Sequence, residues 1–64
     1  MKGKIKNVNT EKGYGFITGA NGVDYFFHQS ELQNCGIADL TKGREVEFDD
    51  EEGTKGPRAV NVSA

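Results

Sequence analysis

Residues 23–29 read VDYFFHQ, three aromatic rings followed by a histidine. The chain has six aromatic rings in 64 residues, so this stretch holds half of them. In an extended strand successive side chains point to opposite faces. Val23, Tyr25 and Phe27 then share one face, and Asp24, Phe26 and His28 share the other. Just upstream, YGFITG (residues 14–19) alternates in the same way, with Tyr14, Phe16 and Thr18 opposite Gly15, Ile17 and Gly19. Between the two runs lies Ala20-Asn21-Gly22, whose Asn-Gly pair is a strong signal for a tight hairpin. With Ile17 and Val23 turned inward, the outward residues Tyr14, Phe16, Phe26 and His28 form one patch. Lys4, Lys6 and Lys12 flank it. Gly13 and Gly15, on either side of Tyr14, are expected to leave room for a flat group above that patch.

The rest of the chain extends this β pattern. In KGKIKNVN (residues 2–9) the lysines alternate with Gly3 and Ile5, but Val8 comes three residues after Ile5. Burying both requires a bulge near Asn7. REVEFDD (residues 44–50) turns Val46 and Phe48 inward, EEGTKG (residues 51–56) reads as a turn, and PRAVNVS (residues 57–63) places Val60 and Val62 on one face. A proline is tolerated at the start of a strand. Ser30, Glu31 and Leu32 open a short helical turn, and residues 33–43 read as a loop. The expected core is Ile5, Val8, Ile17, Val23, Tyr25, Phe27, Val46, Phe48, Val60 and Val62. The fold class is therefore all-β: a small five-stranded antiparallel barrel, closed or nearly closed, and closure would remove exposed edges.

A chain of this length buries only about 60% of its unfolded surface, and small domains often add disulfides or a metal. One cysteine, Cys35, and one histidine provide neither a disulfide nor a zinc set. A lone thiol suits a reducing compartment. MKGKIKN is basic, but no apolar run follows it to make a secretory signal, and no stretch reaches the length of a membrane span. The expectation is a cytoplasmic protein with no membrane contact and no cofactor. Net charge is −2, unevenly spread: residues 1–28 carry four lysines against Glu11 and Asp24. The acidic excess is concentrated in EVEFDDEE (residues 45–52), a solvated face without the spacing of a calcium loop. A basic face is compatible with an acidic total.

Aromatic rings stack on nucleic-acid bases, at about 1–3 kcal/mol per base. Rim lysines meet phosphates and release counterions. A duplex hides its bases, so such a platform selects single strands. With about three lysine contacts the log–log salt slope for a single strand is roughly −2. His28 is read as a further stacking ring, since no second histidine or cysteine pair accompanies it to bind metal. No nucleophile–base pair, carboxylate dyad or phosphate-cradling loop points to catalysis. The competing reading is a small β-barrel interaction module whose aromatic face is covered by a partner or by homodimerisation.

KGYGFI (residues 12–17) and YFFH (residues 25–28) look like the first and second ribonucleoprotein motifs. RNA-recognition-motif domains carry these in the opposite order and need two helices. The order here, together with NTEKGYGFI, DYFFHQSEL and KGPRAVNV, resembles the bacterial cold-shock proteins along essentially the whole chain, as one domain over residues 1–64. The resemblance implies an oligonucleotide/oligosaccharide-binding barrel of Greek-key connectivity that binds single-stranded RNA and DNA, often favouring pyrimidines. It also implies an RNA-chaperone role in the stress response and regulation of gene expression. Carried over by position, stacking falls on Tyr14, Phe16, Phe26 and His28, and basic contacts fall on Lys6, Lys12 and Lys55. Asp24 falls at a base-edge contact and Ile37 at a further apolar one. Asn7 and Gln29 stand where the family usually has tryptophan and commonly phenylalanine. Amides there hydrogen-bond base edges but stack poorly. The protein is expected to act as a monomer, with a domain-swapped dimer through residues 33–43 as the alternative.

Overall fold

In the computed structural model, residues 1–53 and 56–64 are described. Five strands, β1 (Lys2–Asn9), β2 (Tyr14–Gly19), β3 (Asp24–His28), β4 (Glu45–Gly53) and β5 (Gly56–Ser63), close into a barrel in the order β1-β2-β3-β5-β4. Two 3-10 turns, Gln29–Glu31 and Ile37–Asp39, lie on the connection from β3 to β4. The expected closed five-stranded barrel is what forms, with one difference in strand direction. β3 and β5 run parallel, meeting at Phe26 and Arg58, while the other pairs are antiparallel. The reason is parity. A ring with an odd number of strands cannot alternate direction all the way round, so one neighbouring pair must be parallel.

The register of β1 on β2 shifts between Ile5 and Asn7, the bulge that the Ile5/Val8 spacing requires. It lets Ile5 bury while Val8 packs half-buried against the core. Phe27, Phe48, Ile17 and Val62 are the largest fully buried side chains. Full burial of each such side chain is worth about 1.5–3 kcal/mol. Tyr25 and Phe48 meet at 5.1 Å between ring centroids, and Asn21 Nδ2 donates to the Tyr25 hydroxyl at 3.0 Å. The buried ring thus keeps a partner for its polar tip.

Four expectations from the sequence change. Val23 is exposed, because β3 begins only at Asp24 and Val23 sits at the hairpin mouth, its N–H donating to Asn21 Oδ1. Val60 is only half-buried, and Ala59 takes its place in the core beside Val62, which is buried as expected. Asn61, between them, has φ 51°, and this left-handed residue breaks the two-residue alternation of β5. Asn is among the few residues that adopt this region readily. Leu40, read as loop, is buried in the core. Finally, Glu51, Glu52 and Gly53 continue β4, pairing with Arg58, Pro57 and Gly56, rather than forming a turn. No helix among the described residues is long and apolar enough to cross a membrane.

Candidate functional site

The tight hairpin sets β2 against β3 with Tyr14 opposite His28 and Phe16 opposite Phe26. Their sequence neighbours Gly15, Ile17, Tyr25 and Phe27 are buried, so the four outward residues share one face, each partly exposed. Phe26 is central: its ring lies 5.7 Å from Tyr14, tilted, and 5.8 Å from Phe16, edge to face. Such pairings hold rings in place with about 0.5–1.5 kcal/mol each. His28 is fixed differently. Its Nδ1 accepts from the Ser30 N–H at 3.2 Å and lies 3.0 Å from Ser30 Oγ, capping the turn at Gln29–Glu31. That leaves Nε2 as the outward nitrogen.

β1 widens this face. Asn7 stands opposite Phe16 and Asn9 opposite Tyr14, and Asn7 is exposed. Lys6, at the bulge, places Nζ 2.6 Å from Asp24 Oδ2, while Thr18 Oγ1 donates to Asp24 Oδ1 at 2.9 Å. The Lys6 hydrogen bond, then that from Thr18, holds the Asp24 carboxyl below the usual carboxylate range, against a small opposing effect of burial. Lys12 is exposed on the β1–β2 turn, its N–H donating to Asn9 Oδ1 at 3.1 Å.

The remaining expected residues are placed less simply. The Gln29 amide lies over Gly13: a Cβ there would come within 2.6 Å of Gln29 Nε2. Gly13 has φ +73°, a turn conformation suited to glycine. Gly15 does not clear space for a group on the outer face. It faces inward, where a Cβ would approach Asn7 O at 2.5 Å and Phe27 Cζ at 2.8 Å. Ile37 packs half-buried against the core from the second 3-10 turn and is not part of the β2–β3 ladder. Lys55 lies outside the described residues.

One neighbour of the rings escaped the sequence reading. Phe16, Phe26, His28 and Ser30 border a groove of about 520 Å³ whose other described residues are Gly53, Gly56, Pro57 and Arg58. Arg58 reaches the rings only through the parallel β3–β5 pairing, so no local pattern announces it. A larger groove of about 730 Å³ at the β1–β4 seam includes none of the rings. Its Lys2 and Lys4 stand opposite Glu47 and Glu45, which balances its charge.

With this face in view, comparison with known proteins is direct. A family model described as the "Cold-shock" DNA-binding domain matches residues 1–64. The chain belongs to this family. It is 48% identical over 62 residues to a major cold shock protein of Streptococcus pyogenes, covering 97% of this chain and 92% of that one. It is 49% identical over 65 residues to the cold shock-like protein CspC of Shigella flexneri, covering 100% and 94%. Cold shock protein 2 of Lactiplantibacillus plantarum is 47% identical over 60 residues, covering 94% and 91%. Cold-shock domains are nucleic-acid-binding proteins rather than enzymes, in keeping with the sequence reading of a binding protein.

Proposed function

We propose that this cold-shock domain binds single-stranded RNA or DNA by stacking bases on Tyr14, Phe16, Phe26 and His28. The observation that carries the reading is the β2–β3 register, which sets all four rings on one partly exposed face. Lys12 and Lys6 serve phosphates, and Asp24, Asn7 and Gln29 serve base edges. Ile37 and Lys55 are assigned to the interface by the family resemblance alone. Stacking tolerates any base, because every base has a π face; the pyrimidine preference rests on the resemblance. A protein that binds only open strands shifts melting equilibria toward them by mass action. This is the RNA-chaperone role, exercised by a monomer in the cytoplasm.

Titration with short oligouridine and oligothymidine, followed by tyrosine fluorescence and light scattering, tests this. Wild type binds as a monomer, and Phe16→Ala with Phe26→Ala loses on the order of 2–6 kcal/mol at about 1–3 per ring, with the barrel retained by circular dichroism. A folded protein that ignores both oligomers in dilute salt overturns the reading. So does a dimer whose association is blocked by the double substitution, which assigns the face to self-association.

A further inference from the structure

The groove beside the rings holds a cation that the stacking account does not use. Ala59 is buried, so Arg58, next to it on β5, turns outward beside Phe26, its partner across the parallel pair. Its aliphatic stem lies on Gly53, where a Cβ would approach Arg58 Cδ at 2.7 Å and Cγ at 3.1 Å. Among the described residues its guanidinium has one ionic partner, Glu31 Oε2, 3.9 Å from one terminal nitrogen. That is too long for a hydrogen bond. The fork is therefore positioned by Gly53 beneath and Glu31 at one edge, and no hydrogen bond among the described residues engages its donors.

We infer that Arg58 makes this groove a guanine subsite, reading the O6/N7 edge of one unpaired guanine that stacks against the rings. The inference rests on the proposed single-strand binding and adds a base preference to it. The walls decide between base and phosphate. Beside the polar Ser30 and His28, Phe16, Phe26 and Pro57 make the described lining largely apolar, which suits a flat purine better than a tetrahedral anion. The fork and the slot together decide among bases: unpaired cytosine also presents two adjacent acceptors, O2 and N3, and the slot's fit to a purine separates it from guanine. Guanine offers two adjacent acceptors on its outer purine edge, which a guanidinium meets with two parallel hydrogen bonds, whereas adenine pairs N7 with an amino donor. Uracil and thymine flank each carbonyl acceptor with the N3 donor.

The test compares oligothymidine with the same oligomer carrying one guanine, adenine or cytosine at each position in turn. The readout is the affinity ratio to the all-thymine strand. Wild type gains on the order of ten-fold for guanine at one position. Arg58→Lys keeps the charge but loses the fork, and the ratio falls to about one. Gly53→Ala, which displaces the stem, lowers it in the same direction. A wild-type ratio near one at every position, or an equal gain for cytosine or adenine, overturns the subsite and leaves single-strand binding standing. So does an undiminished guanine ratio in Arg58→Lys. Failure to bind all-thymine strands at all removes the parent reading instead.

Discussion

Lys6 and Asp24 form an ion pair of 2.6 Å across the β1 bulge, at the edge of the aromatic face. The lysine best placed by sequence to meet a phosphate is thus already engaged. Both groups remain substantially exposed, at 52% and 42% of the side chain, so the pair is weak in energy and easily exchanged. Asp24→Asn frees the ammonium while keeping an oxygen for Thr18. Because Lys6 turns from Asp24 to a phosphate on binding, the substitution is expected to tighten oligothymidine binding modestly while leaving the log–log salt slope unchanged. Titrations at four or more salt concentrations measure this. A slope steeper by about 0.7, one phosphate's worth for a single strand, would show instead that Lys6 stays on Asp24 in the wild-type complex.

The same contact makes stability depend on acid. Lys6 and then Thr18 hold the folded-state Asp24 pKa below its unfolded value. A depressed carboxyl pKa contributes stability that is complete above the ordinary unfolded value and disappears as pH falls through the folded one. Thermal melts of wild type and Asp24→Asn should therefore differ by a constant Tm offset from neutral pH down to the ordinary carboxylate range. Below that range the offset shrinks. An offset that grows on acidification contradicts the assignment.

Asn7 faces Phe16 across the β1–β2 ladder and is exposed, so a larger side chain there meets no core. Asn7→Trp adds a ring beside an existing one and is expected to tighten oligothymidine binding by about 1–3 kcal/mol. Gln29→Phe carries the same expected sign, with a smaller gain, because the new ring must first find room over Gly13. Fluorescence titration decides both, and weaker or unchanged binding by Asn7→Trp refutes stacking at this position.

The parts of the structure that local periodicity encodes were legible in the sequence. Alternation around Asn21-Gly22 placed every ring of β2 and β3 on its observed face, and the three-residue gap from Ile5 to Val8 located the bulge. The errors fall where long-range closure overrides the two-residue period. Asn61 turns left-handed, with its side chain between Gln33 and Asp49, and this exchanges Val60 for Ala59 in the core. Nothing near Asn61 in sequence signals those two partners, 28 and 12 residues away. Arg58 was missed for the same reason, since only the parallel seam brings it to Phe26. Leu40, among polar loop residues, reads as one more exposed aliphatic until the closed barrel buries it with the core residues.

Gly15 gives the sharpest contrast between the two kinds of reading. Its place between Tyr14 and Phe16 suggested a clearing for a base, yet the structure turns it inward against Asn7 O and Phe27. A methyl group there meets backbone at 2.5 Å and a fully buried ring at 2.8 Å, neither of which moves cheaply. Overpacking of this kind costs about 1–3 kcal/mol, offset by roughly 0.4–1 kcal/mol from the stiffer unfolded chain. Gly15→Ala should lower the unfolding free energy read from urea melts by a net of about 1–2 kcal/mol, while its folded fraction binds oligothymidine with wild-type affinity. Gly36→Ala is the control: its φ is −95° and a Cβ would meet only Asp39 Oδ2, at 3.5 Å, so stability should stay within about 0.5 kcal/mol. The opposite pattern for Gly15→Ala, intact stability with weakened binding, would return the glycine to the outer face and move the stacking surface with it.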